Sequence, residues 1–218
     1  MEFDFATTPG PDRYKLMSAS ITPRPIAWVT TQAEDGAGNA APYSFFNMMS
    51  AEPPLVVLGM MRRPDETHKD SAANILSTGE FVVNLVSEAD SPAMNFTCID
   101  APPEFDEIAA AGLATAPSVT ISPPRIATAP VSMECKVYQT IEAGKTTIVL
   151  GEVTRFHIDD RFIDAERLHV DAPAMNLVAR MHGAGWYARP SELFQMERPS
   201  YAKWDGTSMA SAARKSDG

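Results

Sequence analysis

Ile26-Ala27-Trp28-Val29-Thr30-Thr31 is dense in branched and aromatic side chains and reads as a β-strand. The stretch after it, Glu34-Asp35-Gly36-Ala37-Gly38-Asn39, is a turn cluster, and extended character resumes from Ala40 to Asn47. The two runs therefore predict a hairpin. Ile21-Thr22-Pro23-Arg24-Pro25 forms a rigid lead-in before it, and Pro53-Pro54 closes the unit.

Further along, Leu55 to Met60 is a short apolar run suited to a buried strand. A polar loop from Arg62 to Glu66 leads to a helix predicted over His68 to Leu76, with Thr67 as N-cap and Gly79 just past the end. Glu80 to Val86 is another strand. Ser91-Pro92 starts a short helix, and a second runs from Phe105 to Ala111 until Gly112 stops it. Two long strands, Val131 to Glu142 and Thr146 to Ile158, turn at Ala143-Gly144-Lys145. Strands outnumber helices, and the helices are insertions. This predicts a mainly β fold, a split β-barrel of Greek-key type, rather than a doubly wound sheet. Residues 1–20, broken by Pro9-Gly10-Pro11, read as an N-terminal arm that packs late or on a partner. Residues 21–190 form the barrel domain, and 191–218 a C-terminal extension whose polar end is expected to be disordered.

Composition excludes several function classes. The 18 Lys and Arg against 28 Asp and Glu leave a net charge of −10. Such a field repels nucleic acid and anionic lipid, so neither is expected as a partner. An anionic cofactor then needs a local concentration of positive charge. Two cysteines, Cys98 and Cys135, are too few for a disulfide framework, and no Cys/His spacing suits a metal. Both lie in apolar stretches and read as packed rather than nucleophilic. The acidic start and the lack of a long apolar run point to a cytoplasmic protein without a membrane span.

Two stretches carry candidate chemistry. In Tyr43-Ser44-Phe45-Phe46-Asn47, strand alternation sets Tyr43, Phe45 and Asn47 on one face and Ser44 and Phe46 on the other. A planar ligand could use that aromatic surface and hydroxyl; a core strand with an incidental serine has the same pattern. Arg62 to Ser71 joins a strand end to a helix start, where orphan N–H groups and the helix dipole suit a phosphate. Lys69, Arg62, Thr67 and Ser71 could add charge and hydroxyl donors. Helix capping with the cations in solvent is the other reading of this stretch. Among the four histidines, His68 lies in this loop, while His157 and His169 read as surface or packing residues. No Gly-x-Ser-x-Gly elbow or phosphate-binding glycine fingerprint is present.

In order and spacing, three blocks resemble the flavin reductase-like, FMN-binding split-barrel family. They are Pro23 to Thr31 with Asn39 to Asn47, then His68-Lys69-Asp70-Ser71 with Asn74-Ile75 and Thr78 to Asn84, then Gly151-Glu152-Val153. The resemblance spans roughly residues 20–190. It implies a homodimer with FMN near the subunit interface. Thr30, Thr31, Ser44, Phe45, Phe46 and Asn47, with Ser50, would line the flavin. Lys69 and Ser71 would hold the phosphate, with His68 and Asp70 adjacent. Ser71 stands where the family often has Thr, and Gly144-Lys145-Thr146 stands where some relatives have Gly-Asp-His. Arg180 to Tyr187 is similar to an Arg–Gly–Gly–Tyr region of some relatives. The implied activity is electron transfer from NADH or NADPH to flavin for a partner oxygenase or another acceptor. An FMN-binding electron carrier without NAD(P)H oxidase activity is the alternative.

Overall fold

The computed structural model describes residues 1–102, 105–183, 185–189, 193–196, 198, 200 and 201. In chain order the elements are α1 (Gly10–Ser20), β1 (Arg24–Pro25), β2 (Ala27–Gln32), β3 (Gly38–Tyr43), β4 (Phe46–Ala51), β5 (Pro54–Met61), α2 (Asp70–Thr78) and β6 (Glu80–Leu85). Then come α3 (Ser91–Phe96), α4 (Glu107–Ala110), β7 (Thr115–Ala116), β8 (Arg125–Ile126), β9 (Val131–Ala143) and β10 (Thr146–Ile158). Four two-residue strands follow: β11 (Ile163–Asp164), β12 (His169–Val170), β13 (Ala179–Arg180) and β14 (Tyr187–Ala188). Among the described residues no helix is long and apolar enough to cross a membrane.

The fold is mainly β. A seven-stranded antiparallel sheet runs β3-β2-β6-β9-β10-β5-β4, and the predicted hairpins β2–β3 and β9–β10 are both in it. The outermost strands, β3 and β4, are consecutive in the chain and separated only by Ser44 and Phe45. The sheet therefore curls until its two edges share one corner. No ladder joins β3 to β4 among the described residues, so the sheet is open along that seam.

Strand β2 explains why its sequence is apolar at successive positions. Ala27 and Val29 face one core with Leu58, Phe81, Val83 and Met133. Trp28 faces a second core with Met94, Ile108 and Ile126. Both faces of the strand are buried, so alternation gives way to a continuous run. The Trp28 indole donates to Thr97 Oγ1 at 2.9 Å, which satisfies the polar end of a fully buried ring. Gly151 on β10 marks the tightest packing. A Cβ there would lie 2.3 Å from Cζ of the buried Phe81.

Several sequence expectations are corrected. Pro9-Gly10-Pro11 does not break structure but starts α1, because proline suits the first helical turn where an N–H would be unpartnered anyway. Ala40 to Asn47 is not one strand. It bends at Ser44–Phe45, where the Phe45 carbonyl leaves the β3 register and accepts from Gly59 N at 2.7 Å. The predicted two-face alternation therefore stops at Tyr43. Helix α2 begins at Asp70 rather than His68, because Asp65 captures Thr67 through its amide (3.0 Å) and hydroxyl (2.6 Å). Cys98 is exposed rather than packed, lying beyond the C-terminal turn of α3. The expected disorder of the C-terminal end falls on 202–218, outside the described residues.

Candidate functional site

Two of the sequence-predicted stretches meet in space. Tyr43 ends β3 close to Ser71 in the first turn of α2. Burial pushes the Tyr43 phenol up to about 12, against the opposing effect of the nearby Ser71 hydroxyl, so it stays a neutral hydroxyl. Ser71 Oγ also lies 2.7 Å from the Asn39 carboxamide, and Asn74 donates to Thr31 Oγ1 at 3.0 Å. This polar seam pins the start of α2 against the hairpin and sets the Ser44–Asn47 corner beside it.

At the helix start, Lys69 is the N-cap residue and no side chain caps the first turn. The orphan N–H groups there are free for a ligand. Both neighbouring arginines are already engaged. Arg62 reaches Glu142 at 2.7 Å and the Glu66 carbonyl at 3.1 Å. Arg63 forks onto both oxygens of Asp70 at 3.1 and 2.9 Å and also donates to the His68 carbonyl at 2.6 Å. That pair neutralises the one carboxylate in the first turn of the helix. Lys145 is engaged too, 3.0 Å from Glu66. Among the described residues Lys69 is exposed and has no ion-pair partner. His68 Nδ1 beside it is buried and lacks a hydrogen-bond partner. The junction thus holds a free cation, unspent backbone donors and one orphaned ring nitrogen.

The predicted residues divide by environment. Thr30 and Thr31 are fully buried, and their hydroxyls are used internally: Thr30 donates to the Pro124 carbonyl at 2.5 Å, and Thr31 accepts from Asn74. Ser71 is buried, as described. Ser44, Phe45, Phe46 and Asn47 instead line an open cavity of about 410 Å³ beneath α1. Ser50 lies on a second cavity of about 600 Å³, which shares Phe46 and Asn47 with the first and is walled by Val56, Met133 and Met175. Exposed Met48 and Phe156 stand at this second, apolar cavity. In the Arg180 to Tyr187 region, Arg180 stacks on Tyr187 at 4.9 Å.

Two features escaped the sequence. Arg24 of the Pro-rich lead-in is buried and binds three backbone carbonyls: Ser18, Ile21 (2.9 Å) and Met181 (2.8 Å). A lone arginine between two prolines was the available signal. Glu134 is fully buried and accepts from Val119 N, Thr120 N, Thr120 Oγ1 and His157 Nε2. Burial alone would raise its pKa, but these donors outweigh burial and hold it at about 2. A single carboxylate inside the apolar run of β9 was its only trace.

The pattern described as flavin reductase like domain matches residues 17–174. An uncharacterized protein of Deinococcus radiodurans is 44% identical over 207 residues, covering 93% of this chain and 91% of that protein. The crystal structure of nitrilotriacetate monooxygenase component B from Bacillus cereus is 32% identical with a TM-score of 0.85, over 90% of this chain and 98% of that one. That of 2-nitrobenzoate 2-nitroreductase from Pseudomonas fluorescens is 33% identical with a TM-score of 0.84, over 94% and 100%.

Proposed function

The chain belongs to the flavin reductase-like family, and from that premise we propose an FMN-binding oxidoreductase that moves electrons from NADH or NADPH to flavin. In this reading the curled sheet is a split barrel. The observation that carries the proposal is the uncapped start of α2, with unpaired Lys69 at its N-cap and the β3 strand that leads into the aromatic corner held beside it by Asn39 and Ser71. A phosphate fits this donor set: a free ammonium, unspent N–H groups and the unpartnered His68 Nδ1. A planar ring fits the Ser44–Asn47 corner, where Phe45 and Phe46 supply surface and Ser44 a hydroxyl.

Bound there, FMN would supply the redox chemistry between a nicotinamide donor and a partner oxygenase or another acceptor. The protein's share is to bind and orient. Lys69 and the α2 amides neutralise the dianion. Thr31, Asn39 and Ser71 act through the seam, holding the helix start at a fixed distance from the corner. Thr30 anchors the loop at Pro124. No general acid or base is required, in keeping with the lack of a catalytic triad motif in the sequence.

The second, apolar cavity fits a second copy of this chain, because a concavity rimmed by exposed Met48 and Phe156 buries little on its own. A homodimer with the corner near its seam follows. The test is to incubate the dialysed protein with FMN and follow NADH and NADPH oxidation. Steady turnover supports the reductase. FMN binding without oxidation of either nucleotide makes the protein an electron carrier instead.

A further inference from the structure

The cavity beneath α1 combines an apolar wall with a charge that nothing nearby balances. Tyr14 and Met17 fall on one face of α1 and Ile21 caps its C-terminal end, and all three stay about half exposed because they line this cavity rather than a core. Opposite them are Phe45 and Phe46, and Tyr14 lies 6.2 Å from the Phe45 ring. Arg24 forms the floor.

Arg24 braces the C-terminal end of α1 through the Ser18 and Ile21 carbonyls and reaches across to Met181. Its fourth contact, Nε to Ser44 Oγ, is long at 3.4 Å and points to the cavity rim. A guanidinium has five N–H donors, so the brace does not exhaust it. A brace explains the carbonyl bonds but not the charge pattern around them. Arg24 is directly opposite Arg180 in the β1–β13 register. Like charges placed across a ladder repel, and a buried guanidinium without a counter-ion is costly. Among the described residues neither arginine has a carboxylate within ion-pair distance. This occurs in a chain carrying 28 acidic residues. Desolvation lowers the Arg24 pKa and Arg180 adds to it, against the opposing effect of the Tyr14 hydroxyl on the cavity wall.

We propose that the cavity between α1 and the Ser44–Asn47 corner binds a small organic acid, one carboxylate on an apolar body, with the carboxylate toward Arg24. The volume of about 410 Å³ suits a small acid stacked on a ring held at the Ser44–Asn47 wall rather than a dinucleotide. Binding of the acid stands on the cavity alone; its position against a flavin ring rests on the reading given above.

Benzoate and its neutral isostere benzamide separate charge from shape. Each is titrated into the full-length protein by calorimetry, with and without FMN. Benzoate is expected to bind at least ~10-fold more tightly than benzamide, the ratio for losing one charge-assisted hydrogen bond. Arg24→Ala risks unfolding the α1 brace, so the cavity is filled instead with Met17→Trp. Benzoate binding should then be lost while the circular dichroism spectrum is kept. Equal affinities for the two probes, no benzoate binding, or undiminished binding in the filled variant would each overturn the proposal. Benzoate selectivity in a protein that ignores FMN would support the acid site and overturn the flavin reading.

Discussion

His157 Nε2 lies 2.7 Å from Oε1 of Glu134, a carboxylate with no exposed surface. The pair crosses from β10 to β9. Through Val119 and Thr120 it also fastens the loop that leads to Pro124 and, from there, to Thr30 on β2. The loop therefore depends on a charge. Glu134 is held at about 2 against an ordinary value of 4.5. A depressed carboxylate stabilises the fold above its unfolded value, and that contribution fades as pH falls from 4.5 toward 2. The expected loss across this window is roughly 3 kcal/mol. Urea unfolding at pH 6 and pH 3 reads the part of it lost by pH 3, roughly 2 kcal/mol. Glu134→Gln should flatten the difference between the two, and an unchanged pH dependence in that variant would assign the acid sensitivity elsewhere.

Lys69→Ala should weaken FMN binding by about 1.5–3 kcal/mol, the range for a charge-assisted hydrogen bond, while leaving stability within about 0.5 kcal/mol. The second expectation follows from its exposure and lack of an ion-pair partner among the described residues. Fluorescence titration with FMN reads the first and thermal unfolding the second. Unchanged affinity removes Lys69 from the phosphate site.

Gly151→Ala should destabilise the protein by at least about 1–3 kcal/mol, because the buried Phe81 ring cannot withdraw from the added methyl. Denaturant unfolding is the measurement. A neutral result would mean that the β6, β9 and β10 layer packs more loosely than described.

The hairpins and the two long strands were legible because each depends on local pattern: branched residues bounded by turn clusters. The corner at Ser44–Phe45 was not. It is created by a bond from Gly59, fourteen residues on, and by a sheet that returns to its own first edge. Helix α2 was found but begun too early, since Thr67 has a capping side chain that Asp65 takes instead. Of the candidate site, Lys69 and the aromatic corner were readable as residue types in a suggestive order. The burial of the Thr30 and Thr31 hydroxyls was not, because both faces of β2 are covered by elements remote in sequence. The partners of Arg24 and Glu134 are likewise set by tertiary contact.

Phe156→Glu should convert a dimer to a monomer, since it places a charge on the rim of the larger apolar cavity. Sedimentation velocity distinguishes the two states. A wild-type monomer that binds FMN fully, or a variant that remains dimeric, would exclude this face as the subunit contact.

Everything about the site turns on a phosphate at the start of α2, so the decisive comparison is FMN against riboflavin, which differs only by that group. Equilibrium dialysis of the purified protein against each should show FMN retained at least ~10-fold more tightly, the equivalent of losing the phosphate contacts. Equal retention of the two flavins, or retention of neither, would contradict it.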